Sequence, residues 1–73
     1  MSVTKKIKAL LALTGKKQTD LMGSLGMSSK QSLSNKFSNE RWSAEDLVKV
    51  ADECGCMVAF ILPDGQVLPL DDK

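Results

Sequence analysis

Lys30, Gln31, Ser32, Asn35 and Lys36 lie within two turns of one another, and no acid stands between them. A carboxamide presents a donor and an acceptor side by side, a hydroxyl serves as either, and an ammonium reaches guanine edges or phosphate oxygens. An ordinary solvated helix would mix Glu with Lys. A run of amide, hydroxyl and ammonium groups without carboxylates suits DNA base edges and phosphates instead. Leu33 and Phe37, four apart, mark the opposite, apolar stripe of the same segment. With a 100° step per residue, Gln31 and Asn35 fall nearly opposite that stripe. Ser32, Ser38 and Asn39 lie nearby, and Lys30 and Lys36 flank them. The candidates for reading bases are therefore Lys30, Gln31, Ser32 and Asn35, while Lys36 is better suited to a phosphate.

Other chemistry has little to work with. The chain has no histidine and only two cysteines, Cys54 and Cys56. Two cysteines so close together make neither a disulfide framework nor a zinc site. They read as small reduced residues at a helix end, which fits a cytoplasmic protein. Without a Gly-rich phosphate loop or a nucleophile beside a base, an enzyme is not expected, and neither is a metal or a cofactor. No apolar run is long enough for a membrane span, and no cleavage-type segment follows the amphipathic N-terminus, so neither a membrane partner nor a signal peptide is expected.

The net charge of +1 hides a polarity. Residues 1–41 carry eight cations against Asp20 and Glu40, a net +6, whereas residues 42–73 carry a net −5. The basic half contains the candidate reading segment, as attraction to phosphates requires. Lys16, Lys17 and Arg41, with Lys36, are the candidate phosphate contacts. Lysines that merely solubilise a helix would produce the same asymmetry, so its coincidence with the reading segment carries the weight.

The elements that must position these groups can be read from period and punctuation. A first helix is expected from Val3 to Leu13, with Val3, Ile7, Leu10, Leu11 and Thr14 inward and Lys5, Lys6 and Lys8 outward. Gly15 ends it. A second helix is expected from Gln18 to Leu25, with Leu21 and Leu25 as its stripe and Gly26 closing it. Gly23 within it suggests a neighbouring helix crossing closely. The third helix starts at Ser28 or Ser29. If Ser28 is the cap, Gln31 takes the capping-box position, a role that competes with base contact. Two short helices separated by a tight turn, the second one polar and basic outside, suggest a helix-turn-helix. A fourth helix opens at Ser43, with Asp46 completing a capping box and Trp42 placed to staple onto Leu47. Stacking of Trp42 on DNA is the competing reading. Leu47, Val50, Ala51 and Cys54 form its inner stripe, and Gly55 ends it.

The period then changes. Met57 to Leu62 is a continuous apolar run, Pro63-Asp64-Gly65 is a turn signal, and Gln66 to Leu70 can return. The expected hairpin has Val58, Phe60 and Leu62 on one face and Met57, Ala59 and Ile61 on the other. One face can cover the helices. The other needs a second copy of the chain, and a two-fold homodimer would give a four-stranded sheet. Met57, Val58, Ala59, Phe60, Ile61 and Leu62 are thus the candidate dimer interface. Residues 1–55 form the helical part of one small domain, and residues 56–73 its hairpin and tail.

Residues 3–55 resemble the Xre-type, lambda-repressor-like helix-turn-helix family of phage and bacterial regulators. Gln18, Leu21, Leu25 and Gly26 match the second-helix pattern of that family, and Met27-Ser28, Leu33 to Phe37 and the Ser-Ala-Glu-Asp-Leu opening of the fourth helix are similar to it. Met22 stands where the family usually has a small residue, and the turn is one residue longer, which leaves the register of the reading helix open by one position. The resemblance implies a mainly α fold of four helices with an added C-terminal hairpin. It also implies a DNA-binding transcriptional repressor acting as a homodimer on an inverted-repeat operator in double-stranded DNA. By resemblance Gln18 sits near a phosphate and braces the reading helix; otherwise it is a surface residue of a first helical turn. The alternative on the same fold is a protein-interaction module or antitoxin, whose hairpin or acidic C-terminal half binds a protein partner.

Overall fold

The computed structural model describes residues 1–70. Four helices are followed by a small antiparallel hairpin: α1 Val3–Thr14, α2 Asp20–Ser24, α3 Lys30–Asn39, α4 Ala44–Glu53, β1 Ala59–Ile61 and β2 Val67–Pro69. Among the described residues, no helix is long and apolar enough to cross a membrane.

The helices bury one shared core. Ile7 and Leu11 of α1, Leu21 of α2, Leu33 and Phe37 of α3 and Val50 of α4 meet there, with Leu21 fully enclosed. The expected stripe of α1 is corrected at two positions. Thr14 is exposed, and its hydroxyl bonds back to the Leu10 carbonyl at 2.8 Å. Thr4 is buried instead, one turn before Ile7, where its hydroxyl donates to the Phe37 carbonyl at 2.8 Å. The Trp42 indole N–H donates to that same hydroxyl at 3.1 Å. A threonine can sit in the core here because its polar group is fully employed.

The α1 N-terminus is capped twice. Ser2 accepts from the Lys5 N–H at 3.2 Å, and the Glu40 carboxylate accepts from the Thr4 N–H at 3.2 Å and from the Ser2 hydroxyl. Glu40 comes from the far end of α3, where it occupies the left-handed region at φ 51°. That conformation is uncommon for a residue with a side chain. Here it turns the chain so that a carboxylate reaches the positive end of α1, where negative charge is favoured.

The second helix is shorter than its pattern suggests. Gln18 and Thr19 lie in an opening turn whose hydrogen bonds span three residues: Asp20 N–H to the Lys17 carbonyl and Leu21 N–H to the Gln18 carbonyl. Asp20 caps that turn by accepting from the Lys17 N–H at 2.9 Å. At the other end, Met27 N–H bonds to the Met22 carbonyl and Gly26 N–H to the Gly23 carbonyl, a Schellman closure. It requires the left-handed φ of 70° that Gly26 supplies. Met22 and Met27 pack on the core beside this closure. No neighbour crosses closely at Gly23, where a Cβ would meet open space. Ser29, rather than Ser28, caps α3 and accepts from the Ser32 N–H at 3.2 Å.

Ser43 and Asp46 form both halves of the capping box on α4. Trp42 packs on the core alongside Leu47, with its ring edge on Phe37 at a centroid distance of 5.4 Å. The Lys36 ammonium stands 5.6 Å from the indole centroid. With its edge on Phe37, its N–H on Thr4 and a cation at its ring, the indole belongs to the structure, and this environment argues against stacking on DNA.

In the hairpin, Ala59 pairs with Pro69, Phe60 with Leu68 and Ile61 with Val67. The expectation that one face would cover the helices is corrected. Only Val58 and Ala59 are half-buried, while Phe60 is 58% and Ile61 77% exposed. The hairpin projects, so the radius of gyration of 12.7 Å exceeds the roughly 11 Å of a compact chain of this length.

Candidate nucleic-acid interface

The outer face of α3 carries Lys30, Gln31, Ser32, Ser34, Asn35 and Ser38, all exposed. Burial of Leu33 and Phe37 fixes this orientation, because the side chains opposite a buried stripe must face solvent. Gln31 and Asn35 are joined: the Gln31 amide N–H donates to the Asn35 side-chain oxygen at 3.2 Å. With Ser29 as cap, Gln31 is not drawn into a capping box, and each amide keeps unused donors and acceptors. Ser32 is more constrained. Its backbone N–H and its hydroxyl both meet the Ser29 hydroxyl, the latter pair 3.0 Å apart.

Beside this face lies a depression of about 420 Å³ between α1, the opening turn of α2 and α3. Lys8, Gln18, Thr19, Lys30, Ser34 and Ser38 line it, over a floor of Leu33 and Phe37. Gln18 thus shares this depression with residues of α3. The Lys8 ammonium lies 5.8 Å from the Phe37 ring centroid, which holds it near the depression. Two ammoniums and several neutral donors around one concavity can bind an anion.

The other candidate cations are divided. Lys36 turns to α4 and pairs with Asp46 at 2.7 Å, with both side chains about one-fifth exposed. Lys16 meets Glu53 at 3.5 Å, and Glu53 also accepts from the Ser24 hydroxyl at 2.6 Å. Lys17 and Arg41 are exposed and, like Lys8 and Lys30, make no ion pair among the described residues. The charge polarity along the chain is therefore partly cancelled in space: α4 lends its acids to Lys16 and Lys36.

Burial pushes the Asp46 carboxyl upward, but the Lys36 ammonium and the Ser43 N–H and hydroxyl outweigh it, and the net shift is downward. Glu40 is also held low, first by the Ser2 hydroxyl and then by the Thr4 N–H. Both thiols are free; Cys54 is half-buried, and the Cys56 thiol is raised by burial and by the charges of Cys54 and Asp52.

Sequence reasoning overlooked Thr4, Lys8, Glu40 and Glu53. The 4–7–11 spacing with Ile7 and Leu11 was a usable sign for Thr4. The side-chain reach of Glu40 and Glu53 across helices left no local sign. No protein-family model, curated protein or solved structure matches this chain.

Proposed function

We propose that this protein is a sequence-specific DNA-binding regulator of the helix-turn-helix kind, a repressor acting in the cytoplasm as a homodimer on an inverted repeat. In this reading α2 and α3 form the motif, and α3 enters the major groove with its N-terminal half foremost. Lys30, Gln31, Ser32 and Asn35 read base edges. Lys17, Gln18 and Arg41 position the backbone, joined by Lys8. The observation that carries the reading is the outer face of α3. It is acid-free and rich in amides and hydroxyls, is rigidly oriented by Leu33 and Phe37, and adjoins a depression flanked by Lys8 and Lys30. The Gln31–Asn35 pairing supports it further, since amides held in place recognise adenine at a lower entropic cost.

The exposed hairpin gives some support to the second reading, a protein-interaction module or antitoxin, because uncovered apolar surface invites a partner. One experiment separates the two. Selection of bound sequences from a random DNA pool is expected to enrich an inverted repeat. On that sequence, Gln31→Ala and Asn35→Ala should each cost about 1–3 kcal/mol while leaving random-DNA binding nearly unchanged. A pool that stays random, with a stable protein partner recovered in its place, would replace the DNA reading with the second one.

A further inference from the structure

The hairpin has two outer edges, and they are chemically unequal. Leu62 N–H donates to the Gln66 carbonyl and Leu70 N–H to the Val58 carbonyl, each at 2.8 Å. In an antiparallel pair such bonded positions alternate, so Phe60 and Leu68 also face each other with their backbone groups. The intervening residues then turn their backbone groups outward. Along β1 these are the N–H and C=O of Ala59 and Ile61. Along β2 they are both groups of Val67 but only the carbonyl of Pro69, since proline has no N–H.

Natural edges are usually blunted by charge, proline or cover. Residues 57–62 carry no charged residue and no proline, and Phe60 and Ile61 are mostly exposed. The edge of β2 is blunted by Pro69, whereas that of β1 is open. We propose that β1 pairs antiparallel with β1 of a second copy about a two-fold axis at Phe60, giving one sheet in the order β2-β1-β1-β2. This rests on the homodimer in the functional reading and names its edge and register.

In that register Ala59 exchanges both backbone bonds with the partner's Ile61, and Ile61 does the same with the partner's Ala59, giving four hydrogen bonds. The two Phe60 rings meet on one face, across a non-hydrogen-bonded pair. The equivalent pairing of β2 about Leu68 would lose two of its four bonds to Pro69. The partner's Leu62 lies alongside Val58, and its Pro63 reaches Met57. Met57 and Val58 are walls of an apolar groove of about 310 Å³, completed by Val3, Leu10 and Leu47 of α1 and α4. The register therefore delivers an apolar strand end to an apolar groove on the other subunit, twice over.

A second copy is the occupant this surface fits. The edge is complementary to itself under a two-fold operation, and both the groove and the strand that reaches it belong to one chain. Met57, Phe60, Ile61 and Leu62, all on or beside this edge, are each at least 41% exposed in one subunit, so the pairing has large apolar side chains to bury.

Two proline substitutions in the full-length chain test the edge, because each removes one outward N–H and no hairpin bond. By sedimentation equilibrium, Ile61→Pro should weaken dimerisation about tenfold or more through the two intersubunit bonds it deletes. Val67→Pro should leave it nearly unchanged, and circular dichroism should report intact helices in both. As a second measurement, Phe60→Cys in a Cys54→Ser, Cys56→Ser background should form an intersubunit disulfide under mild oxidation, since residues at that position lie about 4.5 Å apart by Cα. Leu68→Cys in the same background should not. A dimer that survives Ile61→Pro, or one linked through Leu68→Cys and not Phe60→Cys, overturns the β1 edge while leaving the dimer and the DNA reading in place. A wild-type chain that is monomeric at high micromolar concentration overturns the pairing and the dimer together. Enrichment of a single half-site from random DNA would then show that the DNA reading stands without them.

Discussion

Thr4 illustrates how a single side chain can join three elements. Its hydroxyl donates to the Phe37 carbonyl at the end of α3 and accepts from the Trp42 indole before α4. Thr4→Val keeps the shape and deletes the hydroxyl. It would leave a carbonyl and an indole N–H without their partner in a mostly dry site, an expected cost of about 1–3 kcal/mol. Urea unfolding followed by tryptophan fluorescence measures this, and an unchanged midpoint would show that water replaces the hydroxyl at no loss. Glu40 has a comparable linking role at the surface, where its carboxylate caps a helix 36 residues earlier in the chain. The reading residues are of a different kind. Gln31 and Asn35 hold each other but no other element, so their substitution is expected to change recognition and leave the fold intact.

At the scale of elements, α2 is the weakest helix, with five regular residues and a glycine fourth among them. Gly23 lies at negative φ and faces open space, so Gly23→Ala should stabilise the chain by up to about 1 kcal/mol. A higher melting temperature in calorimetry is the expected result, and a lower one would reveal a contact at that position. The start of α4 responds to pH. Asp46 titrates below the ordinary aspartate range, so its contribution is complete above the unfolded-state value and is lost as pH falls through the lowered native one. Asp46→Asn should therefore be less stable than the wild type by about 1 kcal/mol near neutral pH, with the gap closing in acid. Melting curves of the two proteins from neutral pH down to strong acid check the sign. A gap that widened in acid would mean that Asp46 is not the charged partner of Lys36 and the cap.

Across the whole molecule, charge is arranged by the fold as much as by the order of residues. Lys36 spends its charge on Asp46 and Trp42, while Lys8 and Lys30 flank the depression beside α3. If DNA lies on that face, Lys8→Ala and Lys30→Ala should each shrink the dependence of log K on log salt by about one unit. Lys36→Ala should leave the slope nearly unchanged and lower the melting temperature instead. Affinity titrations at several salt concentrations, paired with thermal melts, separate the two behaviours. A slope reduced by about one unit on Lys36→Ala would return that residue to the phosphate contacts. The projecting hairpin is the other whole-molecule feature, since its strands leave both faces largely uncovered by the helices.

Much of this architecture was legible along the chain because its causes are local. Ser43 and Asp46 lie three residues apart, Gly15, Gly26 and Gly55 each end a helix at positive φ, and Leu33 and Phe37 are separated by one turn. Caps, left-handed glycines and apolar stripes act within a turn or two, so spacing alone sets the four helices, the hairpin and the outward face of Lys30, Gln31, Ser32 and Asn35. The tertiary structure decided what depends on reach between distant residues. It took Thr4 into the core instead of Thr14, placed Glu40 on the first helix, drew Lys36 and Lys16 to acids of α4, and set Lys8 beside Gln18 and Lys30. Long side chains choose among partners that only packing brings near, and no periodicity along the chain encodes that choice. The hairpin shows the same division. Its turn and alternation were written in Met57 to Leu70, but whether the helices would cover it depended on where α4 releases the chain.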